Sequence, residues 1–239
     1  MLVKTTELIS NTGVIPAFNT STFEMAKAIV SAATEINQPV IIQTSENEAR
    51  FMGPKYVFSM IKALAENSPV PIALHLDHGK SLELIKECIE VGYSSVMADG
   101  DRDFIKQAVV LAHQNGVLVE GNTADFEDVS NFVNETGLDL LAPEKENKIE
   151  LSQIQQVHQQ TQIPLALHGE SSYSDEMIRQ SLNFGVKKVN FCTPLRRAYT
   201  ETLRAVLDEN PEEIVPYKYL DKVSEAVKKI IIEKINLLR

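Results

Sequence analysis

The sequence predicts a single (β/α)8 barrel, the TIM barrel, over residues 1–239, with an extra helix at the C-terminus. Three observations predict this fold class. Short apolar runs alternate with longer amphipathic segments eight times, at intervals of roughly 20 to 35 residues. No Gly-x-Gly-x-x-Gly turn follows the first run, which argues against an open dinucleotide-binding sheet. No linker or low-complexity segment divides the chain, so one domain is expected.

The eight apolar runs are predicted to be the barrel strands. Each is short, rich in Val, Ile and Leu, and lacks a strict alternation of polar and apolar residues. That composition is expected of parallel strands that are covered on both faces. In chain order the runs are residues 14–18, 39–43, 71–76, 95–98, 117–120, 138–142, 164–167 and 188–191.

Segments with helical spacing separate these runs. Residues 23–30 follow Ser21 and Thr22, whose hydroxyls are typical helix N-caps. In residues 152–160, Ile154 and Val157 fall on one face of a helix. A long final helix is expected from about residue 221 to the C-terminus.

Composition excludes several function classes. The net charge of −10 and the pI of about 5.1 argue against non-specific nucleic-acid binding, which needs a basic surface. No apolar run reaches membrane-spanning length. Cys88 and Cys192 form no disulfide framework, and the N-terminus lacks the features of a signal peptide. A soluble cytoplasmic protein is therefore expected, with neither nucleic acid nor membrane as a partner.

Polar side chains follow the C-terminal ends of the predicted strands, where barrel enzymes have their active sites. Asp77 and His78 follow the third run, and His168 follows the seventh. Imidazole nitrogen together with carboxylate oxygen suits a divalent transition metal such as zinc. Polar residues are also common there because strands leave the core, so position alone leaves their role open. The other strand-end residues include Asn19, Ser45, Asp99, Glu120, Asn122, Glu144, Glu146, Asn190 and Thr193.

Ordered segments along nearly the whole chain carry a family resemblance. The most specific are residues 73–79, Ala-Leu-His-Leu-Asp-His-Gly, and the following residues 92–100. Residues 15–19, 39–46, 163–169 and 185–190 match the first, second, seventh and eighth strands of the same family. Together they resemble the class II, metal-dependent fructose-bisphosphate and tagatose-bisphosphate aldolases.

The resemblance implies a zinc-dependent lyase of carbohydrate metabolism, in or near glycolysis, that acts on a small sugar or sugar phosphate. In that family zinc held by histidines polarises the ketose carbonyl, while an aspartate moves a proton at the bond being cleaved. By match, Asp77 is the acid/base residue, and His78 and His168 are metal ligands. The family is usually dimeric or larger, and the apolar final helix also favours a homodimer. The residues matched to substrate or phosphate contacts are Asn19, Ser45, Gly169, Asn190 and Thr193.

The sequence departs from the family in the residues expected to bind the metal. The family's middle zinc histidine follows the sixth strand, but here a shortened loop from Pro143 contains no histidine. Either Glu144 or Glu146 replaces that ligand, giving two histidines and one carboxylate, or metal binding is weak or lost. A carboxylate is an acceptable ligand for zinc.

The sequence departs from the family again at the phosphate-binding turn after the seventh strand. The family's His-Gly-Gly-Ser-Gly turn is His168-Gly169-Glu170-Ser171-Ser172 here, with two glycines fewer. At an effective dielectric of about 20, like charges about 4 Å apart repel by roughly 4 kcal/mol. An inward Glu170 would therefore oppose a phosphate, and ketose bisphosphates are not the expected substrates. The loops after the fourth and fifth strands are also altered, and Asn122 stands where the family has a glutamate.

Two function classes follow. The first is a divergent class II aldolase-like lyase that performs zinc-assisted aldol cleavage or condensation of a ketose phosphate or related sugar. The alternative is a catalytically degenerate homologue that serves as a binding or partner protein. A third reading is a barrel enzyme that uses Asp77 without a metal. Metal binding separates the first reading from the other two.

Overall fold

The computed structural model describes residues 1–145 and 148–239, with Glu170 described by its backbone alone. Eight parallel strands, β1 to β8, close into a barrel in chain order, which confirms the predicted TIM barrel. Each observed strand overlaps a predicted run. The strands are β1 (Ile15–Asn19), β2 (Val40–Ser45), β3 (Ile72–Gly79), β4 (Ser95–Ala98), β5 (Leu118–Thr123), β6 (Leu140–Pro143), β7 (Leu165–Leu167) and β8 (Val186–Phe191).

Helices alternate with the strands throughout the described residues. Thr22 is the N-cap of α2, and its hydroxyl accepts from the Met25 N–H at 3.3 Å. Short 3₁₀ segments lie at Glu170–Ser172 and Leu182–Phe184. The α-helices are α1 (Thr5–Asn11), α2 (Phe23–Glu35), α3 (Glu46–Met52), α4 (Pro54–Glu66), α5 (Leu82–Val91), α6 (Arg102–His113), α7 (Val129–Thr136), α8 (Leu151–Thr161), α9 (Asp175–Ser181), α10 (Thr193–Glu209) and α11 (Pro216–Leu237).

The final helix, α11, begins earlier than residue 221, because Pro216 starts its first turn with a φ already suited to a helix. It packs against α2 and α10. Ile231, Ile235 and Leu237 are buried in this contact and against the barrel. The apolar surface that favoured a homodimer is therefore largely covered within the chain, and the homodimer stays a prediction. No described helix has the length and apolar character needed to cross a membrane.

Two apolar regions flank each strand, because successive side chains point to opposite faces. Outward residues such as Ile42, Leu74 and Val96 pack under the helices. Inward residues form two small clusters inside the barrel, and α1 closes the N-terminal end with Leu8 and Ile9. The strand members of these clusters are Ile15, Ala17, Ile41 and Ala73 in one, and Met97, Leu118, Leu140, Ala142 and Ala166 in the other.

Candidate active site

Asp77 and His78 are consecutive, yet both reach the C-terminal mouth of the barrel. In a regular strand they would face opposite sides. The register between β3 and β4 shifts between Leu76 and Gly79, and His78 has a φ of 52°. This left-handed backbone costs a non-glycine residue about 1–3 kcal/mol. The turn brings His78 Nε2 to 3.9 Å from Asp77 Oδ1, so local strain places both groups in one site.

Two amides hold the buried carboxylate of Asp77. Asn19 Nδ2 donates to Asp77 Oδ2 at 3.0 Å, and Asn190 Nδ2 donates to Oδ1 at 3.3 Å. These asparagines lie on β1 and β8, which are paired in the barrel wall. Asn190 Oδ1 is buried and has no hydrogen-bond partner within the described residues. A buried acceptor without a partner calls for an explanation, and a ligand hydroxyl would supply one.

His78 and His168 meet above Asp77. His168 Nδ1 lies 3.3 Å from His78 Nε2, and the two rings pack edge to face with centroids 5.1 Å apart. With Asp77, they offer three ligand atoms that all lie within 4.8 Å of one another. This combination of nitrogen and oxygen donors fits a divalent transition metal.

Glu144, from the shortened loop after β6, adds a carboxylate to this cluster. Its Oε1 lies 3.0 Å from His168 Nδ1, and its Oε2 accepts from Asn122 Nδ2 at 3.1 Å. Asn122 also donates to Asp99 Oδ1 at 3.1 Å, so this amide links the two carboxylates. Of the two glutamates considered as substitute ligands, Glu144 is beside the histidines, whereas Glu146 lies outside the described residues.

In each histidine, the ring nitrogen that points away from the cluster also lies close to a carboxylate. His78 Nδ1 lies 3.0 Å from Asp99 Oδ2, and His168 Nε2 lies 2.5 Å from Glu120 Oε1. The hydrogen bond from His78 lowers the pKa of Asp99 to about 2. Carboxylates placed behind histidines in this way orient metal-binding imidazoles in known metal sites.

His168 carries an unusual charge state in the absence of an ion. Burial by itself lowers its pKa, but the charge of Glu120 and the hydrogen bonds to Glu120 and Glu144 outweigh burial and raise the pKa to about 10. For His78, burial is likewise outweighed, by the hydrogen bond to Asp99 and the charge of Asp77, and the pKa is raised. Without a metal, His168 is therefore an imidazolium held between two carboxylates.

A charged pair lies below His168, inside the barrel. Lys188 Nζ donates to Glu120 Oε2 at 2.8 Å, and both side chains are fully buried. Burial favours the neutral form of Glu120, but the charges of Lys188 and His168 hold its pKa well below its usual range. Sequence reasoning noted Glu120 only as a strand-end residue and missed Lys188. The available signal was its position two residues before Asn190, which places both on the same face of β8.

A second network at the mouth centres on Glu48, which the sequence did not indicate. Its Oε2 accepts from the Ser45 N–H at 2.8 Å and from Asn19 Nδ2 at 3.3 Å. Its Oε1 accepts from Arg196 Nη2 and from Ser21 Oγ, both at 2.6 Å. The Ser45-x-x-Glu48 spacing is a capping box at the start of α3. No local pattern indicates the contact with Arg196.

The family model described as class-II fructose-bisphosphate aldolase matches residues 6–239. The chain belongs to the class II fructose-bisphosphate aldolase family. The fructose-bisphosphate aldolase of Geobacillus stearothermophilus is 33% identical over 255 residues, which cover 92% of this chain and 89% of that protein. That of Helicobacter pylori (strain ATCC 700392 / 26695) is 30% identical over 283 residues, covering 94% and 92%. The crystal structure of the YdjI aldolase from Escherichia coli K12 matches with a TM-score of 0.88 and 28% identity, over 100% of this chain and 97% of that chain.

Membership in the aldolase family confirms the resemblance read from the sequence and supports an aldolase-like lyase. The structure gathers most of the predicted site residues at one mouth. Gly169 lines a cavity of about 260 Å³ together with His78, His168 and Glu144. Asn19 and Asn190 contact Asp77, and Ser45 joins them through Glu48.

Thr193 is placed differently from the other residues matched to substrate contacts. It is exposed at the start of α10 and lines a separate cavity of about 380 Å³, with Ser171 and Arg197. Tyr173 lines both cavities, so the turn after β7 lies between Thr193 and the histidines. The expected effect of Glu170 on a phosphate concerns a side chain outside the described part of the structure, and it stays a prediction.

Proposed function

We propose that this aldolase-family protein is a divalent-metal-dependent lyase that cleaves or forms a carbon–carbon bond in a small ketose phosphate or related sugar. One observation carries the proposal. His78 Nε2 and Glu144 Oε1 both lie within 3.3 Å of His168 Nδ1, and Asp77 stands beside them. Glu144 thus offers a carboxylate in place of the histidine that the sixth-strand loop lacks.

The donor set fits zinc. Two imidazole nitrogens and one carboxylate oxygen, from His78, His168 and Glu144, would hold the ion. An ion held there would supply Lewis-acid stabilisation of the negative charge that collects on the ketose oxygen. Asp99 and Glu120 hold the two imidazoles from behind, and Asn122 holds Glu144. Each of the three ligand side chains is therefore positioned by a hydrogen bond of its own.

Asp77 is proposed to move the proton. In the cleavage direction its carboxylate takes the proton from the hydroxyl beside the scissile bond, a carbonyl forms at that carbon, and the bonding electron pair passes to the ketose fragment. Such a base must lie within hydrogen-bond reach of the hydroxyl. Asn19 and Asn190 hold the carboxylate still, and the unpaired Asn190 Oδ1 is available to accept from a sugar hydroxyl.

The substrate is proposed to carry one anionic group. Lys145 and Lys148 line the cavity beside the histidines, and Lys145 Nζ lies 4.6 Å from the centre of the Phe126 ring. Local cations matter because the net charge of −10 repels anions at long range. The turn after β7 retains one glycine of the family's turn, Gly169, whose φ is 68°. These features suit a monophosphate better than a bisphosphate.

A second candidate is a family barrel that has lost catalysis and binds a small molecule or a partner. One observation favours it. His168 already satisfies both of its ring nitrogens with carboxylates, at 2.5 Å from Glu120 and 3.0 Å from Glu144. An imidazolium fixed in this way is a complete hydrogen-bonded network without any ion.

Zinc titration calorimetry on chelator-stripped protein tests the proposal. We expect one-to-one binding that is lost in both His78→Ala and His168→Ala. His113→Ala is the matched control, because His113 is a half-exposed histidine that pairs with Asp139 away from the site. Weak binding that all three variants share with the parent protein would contradict the proposal and favour the second candidate.

A further inference from the structure

We propose that Glu120 is the positioning residue of His168, and that the buried Lys188 fixes Glu120 for this role. The inference rests on the proposed metal-dependent function, since it concerns which imidazole nitrogen faces the ion. Neither residue belongs to the cluster that the ion would contact. Both act from beneath it, inside the barrel.

The two nitrogens of His168 face different surroundings. Nδ1 faces the ligand cluster, 3.3 Å from His78 Nε2 and 3.0 Å from Glu144 Oε1. Nε2 lies 2.5 Å from Glu120 Oε1 and 3.0 Å from Asn190 Nδ2, and of these two atoms only the carboxylate oxygen can accept a hydrogen bond. A neutral imidazole carries one proton, and the nitrogen that keeps it cannot bind a metal. A proton kept on Nε2 and donated to Glu120 leaves the Nδ1 lone pair aimed at the cluster.

Lys188 gives Glu120 a fixed orientation. A carboxylate without solvent contact is strongly destabilising unless it is paired, and the ammonium of Lys188 lies 2.8 Å from Glu120 Oε2. The two oxygens therefore have separate partners, Lys188 on Oε2 and His168 on Oε1. Rotation of the carboxylate would break both contacts. The two side chains project from β5 and β8, so rigid strands hold the geometry.

His75 does not compete for this role. Its Nδ1 lies 2.8 Å from Ser95 Oγ, and its Nε2 is 3.6 Å from Glu120 Oε2, on the Lys188 side of the carboxylate. Burial and the charge of Lys188 hold the pKa of His75 well below its usual range, so the ring is neutral. Glu120 Oε1 is left to His168.

A purely structural role for the pair predicts different behaviour. The barrel interior beside it consists of apolar clusters, and buried ion pairs are often no more stabilising than apolar side chains of similar volume. If the pair served the fold alone, the double variant without either charge would recover both the thermal stability and the zinc affinity that each single variant loses. A positioning role predicts instead that the double variant recovers thermal stability without recovering metal affinity.

The experiment measures zinc affinity by competition with a chromophoric chelator, and thermal unfolding of the metal-free protein, for Glu120→Gln, Lys188→Met and the double variant. We expect Glu120→Gln to weaken zinc binding by about 10- to 100-fold. Lys188→Met should lower the melting temperature, because the buried Oε2 of Glu120 loses the cation that pairs with it. The double variant should recover melting temperature while its zinc affinity stays low.

Asp139→Asn is the matched control for zinc affinity. Asp139 is also a carboxylate held against a histidine, with its Oδ2 2.9 Å from His113 Nε2, but that pair lies away from the site. We expect its zinc affinity to equal that of the parent protein. Nitrogen-15 spectra of the histidine rings supply a second readout: zinc-loaded parent protein should show His168 protonated on Nε2, and Glu120→Gln should lose that single tautomer.

The outcomes separate the two proposals. Absence of zinc binding by the parent protein overturns the proposed function and this inference with it. Tight parent binding that Glu120→Gln leaves unchanged, with the same His168 tautomer, overturns this inference alone. Recovery of both melting temperature and zinc affinity in the double variant also overturns it, because the pair would then act only through the fold.

Discussion

Replacing Glu144 by glutamine removes the negative charge that the structure places beside the two histidines while keeping the volume of the side chain. Glu144 Oε1 lies 3.0 Å from His168 Nδ1, and Asn122 holds the other oxygen. Four-ligand structural zinc sites contribute about 10–16 kcal/mol, or roughly 3 kcal/mol for each ligand. We therefore expect Glu144→Gln to raise the zinc Kd by about 10²-fold, since 1.4 kcal/mol corresponds to a factor of ten.

Chelator competition measures this effect on stripped protein at fixed pH and ionic strength. Glu127→Gln is the matched control, because it makes the same change at an exposed residue of the loop after β5, at the same end of the barrel. Its Kd should equal that of the parent protein. A Glu144→Gln Kd within experimental error of the control would refute Glu144 as a ligand, and the donors left in the described part of the site would then be Asp77, His78 and His168.

Four further predictions concern pH, the proton carrier and the fold. Zinc must displace the proton of His168, whose pKa is raised to about 10, so competition titrations should show zinc affinity rising roughly tenfold per pH unit until the pH approaches 10. Because the fold favours this imidazolium, metal-free protein should lose thermal stability between about pH 6.5 and 10, and His168→Ala should reduce that slope to the share that comes from the raised pKa of His78. Asp77→Asn should reduce turnover by about 10²-fold or more and retain zinc; joint loss of both would make Asp77 a ligand instead. Ile231→Ala, at a fully buried position of α11, should lower the free energy of unfolding by about 2–5 kcal/mol. An unchanged melting curve would contradict the packing of this helix.

The barrel was predictable because each strand is buried on both faces and therefore reads as a continuous apolar run. The strand ends were not. β3 continues to Gly79 and β5 to Thr123, where backbone pairing persists although the side chains have become polar. α1 was missed because it is short and its N-cap, Lys4, makes no side-chain capping bond. Its position is fixed by Leu8, which packs into the N-terminal end of the barrel.

The site was predictable where its residues are neighbours in sequence or match a family segment, as with Asp77, His78 and His168. It was not predictable where barrel closure brings distant residues together. Lys188 meets Glu120 across 68 positions, and no local pattern encodes that distance. Glu144 and Glu146 were indistinguishable in sequence, and only the path of the chain after β6 places Glu144 beside His168.

The central claim is that the cluster at the barrel mouth supports metal-dependent aldol chemistry. The most direct test is cleavage of a panel of ketose monophosphates by stripped and zinc-reconstituted protein, with the aldehyde product detected by hydrazone formation and Asp77→Asn as the blank. We predict that the zinc form cleaves at least one substrate, that chelation abolishes the activity, and that added zinc restores it. Release of no aldehyde from any substrate while zinc occupies the site would contradict the claim, and the protein would then be a barrel that kept a metal site without the reaction.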